Sequence, residues 1–154
     1  MLTPTHRLSP LFHFFDAIAT PVAQLVTRLT FGQAFVLTGW GKLGNLDGTA
    51  KYFESLGIPL ANLQAPMIAT FEFVGGILLM LGLGTRFTAL VLMSTMVVAL
   101  LTAHGSDIAA GFQFRKGFDE AAPVPYLVAM VWLLAKGAGT LSIDAILAKK
   151  NAIV

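Results

Sequence analysis

Residues 66–83 read Pro-Met-Ile-Ala-Thr-Phe-Glu-Phe-Val-Gly-Gly-Ile-Leu-Leu-Met-Leu-Gly-Leu, an apolar run carrying a single charge, Glu72. A run of this length suits a helix crossing the hydrocarbon of a bilayer, for which ~17–25 residues suffice. An ionised carboxylate inside such a helix costs about 2.5–3.5 kcal/mol on insertion scales, so it turns toward a protein interior and finds a partner. Arg28 and Lys42, both in an earlier apolar run, are the candidate partners. A further run, Phe87–Ala103, follows after Gly82-Leu-Gly-Thr-Arg86, which forces an antiparallel hairpin with a tight turn.

Working outward, the apolar pattern predicts four transmembrane helices at about 22–42, 66–83, 87–103 and 123–139. The fold class is all-α: an integral membrane four-helix bundle with interfacial amphipathic segments, formed by residues 1–154 as one domain. In the fourth span the apolar centre Val124–Ala135 is short and Lys136 must snorkel. The loop 43–65 holds Lys51-Tyr52-Phe53-Glu54, read as a short amphipathic helix stopped at Gly57. The loop 105–122 mixes Phe112, Phe114 and Phe118 with Arg115, Lys116, Asp119 and Glu120, as suits a segment on a membrane surface. Leu11, Phe12, Phe14, Phe15 and Ile18 form another interfacial face, and Ser142 is placed to cap a C-terminal helix.

Composition agrees. Hydrophobic residues are 56% and charged residues 12% of the chain, with a mean hydropathy of +0.77, against roughly 25% charged in an average soluble domain. A net charge of +2, spread without a basic block, gives no footprint for nucleic acid. With no cysteine the chain forms no disulfide and performs no thiol chemistry. Ser9, Pro10 and Asp16 interrupt the apolar core that a cleavable signal needs, so the first span is expected to act as an uncleaved anchor. An arrangement with both termini cytoplasmic puts Arg7, Arg86, Lys136, Lys149 and Lys150 inside and Lys42, Lys51, Arg115 and Lys116 outside. The adjacent Lys149 and Lys150 near a membrane end favour that orientation, in a bacterial cytoplasmic membrane.

Helical spacing turns isolated polar residues into a seam. Gln24, Arg28, Gly32, Phe35, Gly39 and Lys42 share one stripe at ~100° per residue. Ala65, Ala69, Glu72, Gly75 and Gly76 form a matching small-residue face, the kind that brings membrane helices close. The two faces are expected to pack, with Gly32, Gly39, Gly75 and Gly76 as helix-packing positions. Glu72 is expected to lie roughly 10 Å in depth from both cations. With His104 ending the third span on the Lys42 side, Lys42, Glu72 and His104 are expected to line one polar pocket, with Arg28 beneath it.

The segments Arg28-Leu-Thr-Phe-Gly32, Gly39-Trp-Gly-Lys42-Leu43, Tyr52-Phe-Glu-Ser-Leu-Gly-Ile-Pro59 and Glu72-Phe-Val-Gly-Gly-Ile-Leu-Leu-Met-Leu-Gly-Leu-Gly-Thr-Arg86 occur in that order. In them the chain resembles the DoxX-like family of small four-helix bacterial membrane proteins, over roughly residues 22–144. The resemblance implies the fold and a membrane location. It also implies a link to quinone redox work, because the family's name comes from a membrane subunit associated with a thiosulfate:quinone oxidoreductase. Members that depend on cysteine are no guide to this chain.

Each polar residue has a structural reading beside the functional one. Glu72 with a cation reads as an ion pair fixing helix register, or as a ligand, proton or quinone site; His104 reads as an interfacial histidine before it reads as a ligand. His6 and His13 fall on the opposite side from His104, so the histidines do not form one haem or metal site. The methionines are spread along the helices and read as packing, with a soft-metal path as the lesser alternative. Gly41–Gly48 lacks the Lys-Ser/Thr ending of a phosphate loop.

Three functions follow from different classes. The favoured one is a non-catalytic membrane subunit that anchors or stabilises a protein partner in a redox assembly, with lipid around it, no cofactor of its own, and a homo-oligomer as the other form of partnership. The alternative is a quinone-reactive subunit in which Arg28, Lys42, Glu72 or His104 hydrogen-bonds the quinone. The third, a small-solute or ion carrier, lacks the repeats and broken helices of common transporter designs.

Overall fold

A computed structural model describes residues 15–113, 117 and 121–151. Among them the chain is all-helical: a π-helical turn at Phe15–Ala19, then α1 (Thr20–Leu43), α2 (Leu46–Ser55), α3 (Ala61–Leu81), α4 (Thr85–Ala103), α5 (Gly105–Phe112), α6 (Pro123–Lys136) and α7 (Ile143–Asn151). Two of these, α3 and α4, are long and apolar enough to cross a membrane, with mean hydropathies of 1.5 and 1.8. Helix α1 has the length, at 24 residues, but carries the polar stripe. Helix α6 is apolar and shorter, at 14 residues.

The boundaries differ from the sequence pattern where backbone chemistry decides them. Pro66 does not start the second long helix; Leu60, in the left-handed conformation at φ 52°, does. Leu60 O accepts from Leu63 N at 2.9 Å and Gln64 N at 3.0 Å, so Pro66 falls inside a helix already begun. The fourth apolar helix ends at Lys136 rather than 139, because Gly137 takes φ 78° and its N–H closes on Leu133 O at 2.8 Å. Helix α2 is longer than Lys51–Glu54 because Asn45 starts it, its side chain accepting from Gly48 N at 3.1 Å. Residues 105–112, expected as surface loop, form a helix. The remaining aromatic and charged residues of that loop from 114 to 120, and the interfacial residues 11–14, lie outside the described residues.

The hairpin turn carries a Schellman signature. Leu83 N bonds Leu78 O at 3.0 Å and Gly82 N bonds Leu79 O at 3.1 Å, with Gly82 at φ 67°. Helix α3 nevertheless packs most extensively on α1, and α4 on α6. The register of α1 on α3 follows from the glycines: Gly32 lies against Gly76 and Met80, and Gly39 against Ala69 and Phe73. The helices are therefore antiparallel, with backbones in near contact. Phe35, Leu79, Ala89, Leu92, Ala129, Met130 and Leu133 fill the core where the long helices meet.

One end of the assembly is closed by polar bonds from the start of α1 to the connection between α6 and α7. Gln24 Nε2 donates to Lys136 O and Gly137 O, both at 3.2 Å, and Arg28 Nη2 to Leu141 O at 2.5 Å. The Asp144 carboxylate caps α4 from a distance in sequence, accepting from Gly84 N at 2.7 Å and Thr85 N at 2.9 Å. Negative charge at a helix N-terminus complements its dipole and its unpaired donors. Ser142 caps α7, accepting from Ala145 N at 3.1 Å.

Candidate functional site

Among the described residues the opposite end is the more open, with two cavities between the helices. Lys42, in the last turn of α1, forms an ion pair with Glu72 Oε2 in the middle of α3. The glycine register explains the choice of partner. Gly39 abuts Phe73, so Glu72 is level with a position one turn before Lys42, ~5 Å along the helix at 1.5 Å per residue, within reach of a lysine stem. The Glu72 side chain is 2% exposed and that of Lys42 30%, so the carboxylate is interior and the ammonium stands toward the open end. Glu72 Oε1 makes no hydrogen bond among the described residues, and the ammonium has donors beyond the one it gives Glu72.

Two cavities meet at this pair. The first, about 170 Å³, lies among α2, α3 and α4 and is lined by Lys42, Tyr52, Phe53, Leu56, Ile58, Gln64, Ile68, Glu72, Thr95, Met96 and the segment Val98–His104 in part. The second, about 190 Å³, lies toward α6 and is lined by Phe35, Thr38, Lys42, Glu72, Met96, Ala122, Pro123 and Tyr126. Aromatic rings hold the wall of the second: Tyr126 meets Phe31 and Phe35 edge-on at 5.2 and 5.3 Å between centroids. The walls of the first are mostly apolar, and its polar groups converge from different helices. Thr95 Oγ1 donates to Leu92 O at 2.8 Å, which leaves its oxygen as an acceptor. His104 Nδ1 lies 3.1 Å from Asp107 Oδ2. An ionised carboxylate only accepts, so in the neutral ring Nδ1 carries the proton and Nε2 is the acceptor.

Arg28 is not part of this site. It stands fourteen residues before Lys42 on α1, ~21 Å along the axis, level with Gly82 and bound to Leu141 O at the closed end. The even depth expected from sequence fails because the glycines shift α3 so that Glu72 sits beside the C-terminal part of α1. Arg28 is 1% exposed, with Nε and Nη1 lacking partners among the described residues, and Asp144 supplies the acidic charge that acts on it. Of the packing glycines, Gly32, Gly39 and Gly76 lie in the α1–α3 contact, whereas Gly75 faces Leu92 of α4. The sequence reading did not find Tyr126, Met96 or the α2 residues as site walls, nor Asp144 as a cap. Periodicity cannot pair a residue with a distant segment; the one available signal was the acidic residue directly after Ser142-Ile143 in a helix start.

Apolar helices that enclose a charge pair and turn large hydrophobic residues outward, Leu37, Val74, Phe87 and Leu101 among them, define a helical membrane protein embedded in lipid. The chain belongs to the DoxX family, whose model matches residues 23–105, a span that includes Arg28, Lys42, Glu72 and His104. It is 34% identical over 138 residues to the inner membrane protein YqjF of Escherichia coli strain K12, covering 84% of this chain and 95% of that protein. It is 28% identical over 138 residues to the inner membrane protein YphA of the same strain, covering 89% and 99%. A Bacillus subtilis strain 168 protein named "Putative oxidoreductase CatD" is 29% identical over 132 residues, covering 84% and 92%. No solved structure matches. These relatives place the chain in a bacterial membrane.

Proposed function

We propose that this protein is the quinone-binding membrane subunit of a bacterial redox assembly, a single four-helix domain crossing the inner membrane with α1, α3, α4 and α6 and both termini in the cytoplasm. The observation that carries the reading is the cavity of about 170 Å³ against the Lys42–Glu72 pair. An engineered apolar cavity of about 150 Å³ accepts benzene, so this space suits one six-membered ring. Its polar groups suit a ring with oxygen substituents: the Lys42 ammonium donates to a quinone carbonyl, and Glu72 Oε1 or His104 Nε2 accepts from a quinol hydroxyl. Electrons come from a partner oxidoreductase docked at the open end, so the anchoring role that the interfacial segments favour and the quinone site belong to one subunit. The name of the Bacillus subtilis relative supports a redox setting. The carrier reading gains no support, because the core around Leu79, Leu92, Met130 and Leu133 and the bonded closed end stand between the cavities and the other face.

Binding is tested on the chain purified in mild detergent, titrated with tetramethyl-1,4-benzoquinone, a single-ring quinone without a tail. Saturable binding is expected, weakened at least tenfold in Glu72→Leu, because the Lys42 ammonium that donates to the carbonyl loses the carboxylate that holds it at the cavity. Absence of saturable binding, or affinity unchanged in Glu72→Leu, overturns the quinone site. Topology is tested by reporter fusions at residue 151 and at residue 113, expected on cytoplasmic and periplasmic sides respectively. The start of α1 and end of α6 share the closed end, and Arg86, Lys136, Lys149 and Lys150 collect toward it, which supports this orientation. A periplasmic residue 151 sinks it.

A further inference from the structure

We infer that Met96 is the specificity-determining residue of this site, a partition that limits the ligand to one ring. The inference rests on the quinone-site reading above. Three residues line both cavities: Lys42, Glu72 and Met96. The first two are fixed by their mutual charge pairing and by the glycine contacts of the helices that carry them. Met96 is different in kind. It is uncharged and unbranched, with several rotatable bonds, a side chain that adapts to whatever space it borders. Two neighbouring wall residues are held in place. Phe35 is 1% exposed and braced edge-on by Tyr126 at 5.3 Å, and Thr95 is tied to Leu92 O. A ligand longer than one ring that keeps its carbonyl at Lys42 extends inward across Met96, toward the space of about 190 Å³ bordered by Phe35, Thr38 and Tyr126.

Truncating Met96 would open the spaces of about 170 and 190 Å³ into one. The fused rings of a naphthoquinone would then lie across the partition, with one carbonyl still at Lys42. Wild-type protein is expected to prefer tetramethyl-1,4-benzoquinone over 2-methyl-1,4-naphthoquinone. Met96→Ala is expected to move the ratio of the two dissociation constants at least tenfold toward the naphthoquinone. Met96→Val should move it less in the same direction, and serves if the alanine variant does not fold. Met93→Ala, one turn earlier on α4, packed against the core as Met96 is but lining neither cavity, should leave the ratio within twofold. If wild-type protein binds neither quinone, the quinone site falls and this inference with it. If the wild type binds the single-ring quinone and neither Met96 variant changes the ratio, or Met93→Ala changes it as much, the partition alone is overturned and the quinone site stands.

Discussion

Lys42→Met is expected to destabilise the folded protein by about 3–5 kcal/mol, the usual cost of leaving a buried charge without its partner. The reciprocal change should be milder. Glu72 is 2% exposed and has no other partner among the described residues, so without Lys42 its charge stays in the interior. Lys42 stands in the last turn of α1 with its side chain 30% exposed. Without Glu72 its ammonium can extend along its own stem to the open end, and at a helix C-terminus it retains a favourable interaction with the helix dipole. Glu72→Leu is therefore expected within the about 0.5–3 kcal/mol of an ordinary substitution. The double variant Lys42→Met/Glu72→Leu should be more stable than Lys42→Met alone, because replacing both members of a buried pair by apolar groups removes the desolvation cost together with the attraction.

The measurement is a double-mutant cycle on detergent-solubilised protein, by reversible unfolding or by melting temperature. A second cycle with Arg28→Met and Glu72→Leu should be additive, since Arg28 is engaged at Leu141 at the closed end, far along α1 from Glu72. If the Lys42 cycle is additive and the Arg28 cycle is not, the ion pair in the structure is not the one that forms in the membrane. If Glu72→Leu costs as much as Lys42→Met, the account of the asymmetry by burial is wrong even though the pairing stands.

The long helices were legible because each is written locally. Val22 to Lys42, the run around Glu72 and Phe87–Ala103 carry apolar lengths and glycine turns that need no distant partner to be read. Glu72 was legible as interior because an unpaired charge facing hydrocarbon is costly, but the identity of its partner was not. Arg28 and Lys42 are on the same stripe, and only the register of α1 on α3 separates them; that register is set by which glycines meet, a pairing of two elements. The cavity was legible in its charges and not in its walls. Its floor is α2, expected as a short helix from Lys51 to Glu54 but placed by Phe53 and Ala50 packing with Ala61 and Ala65 of α3. Asp144 shows the same limit from the other side: it reads as an ordinary acidic residue in a helix start, yet it caps a helix that begins sixty residues earlier.

Adding a side chain at Gly76 or Gly39 is expected to cost the fold more than removing any hydrogen bond at the closed end. A Cβ built on Gly76 would stand 2.6 Å from Gly32 O and 2.7 Å from Val36 N, and one on Gly39 would stand 2.8 Å from Phe73 Cα and 2.9 Å from Ala69 O. These obstacles are backbone atoms of the facing helix, so no rotamer change relieves them and α1 must move away from α3. Overpacking a core commonly costs about 1–3 kcal/mol where side chains can yield; here they cannot, and Gly76→Val and Gly39→Val should exceed that range and abolish monodisperse protein in detergent. Gly41 is the control within the same helix, because a Cβ there meets nothing within 4 Å. Gly41→Ala should be neutral or stabilising by up to about 1 kcal/mol, the helix-propensity difference between the two residues. The contrast separates close packing from flexibility as the reason for glycine: if Gly39→Ala is tolerated as well as Gly41→Ala, the helices are not in backbone contact and the register that selects Lys42 for Glu72 loses its basis. If Gly39→Ala instead fails while Gly41→Ala folds and retains quinone binding, the α1–α3 contact is what holds Lys42 within reach of Glu72, and the site is a consequence of two glycine-lined backbones meeting.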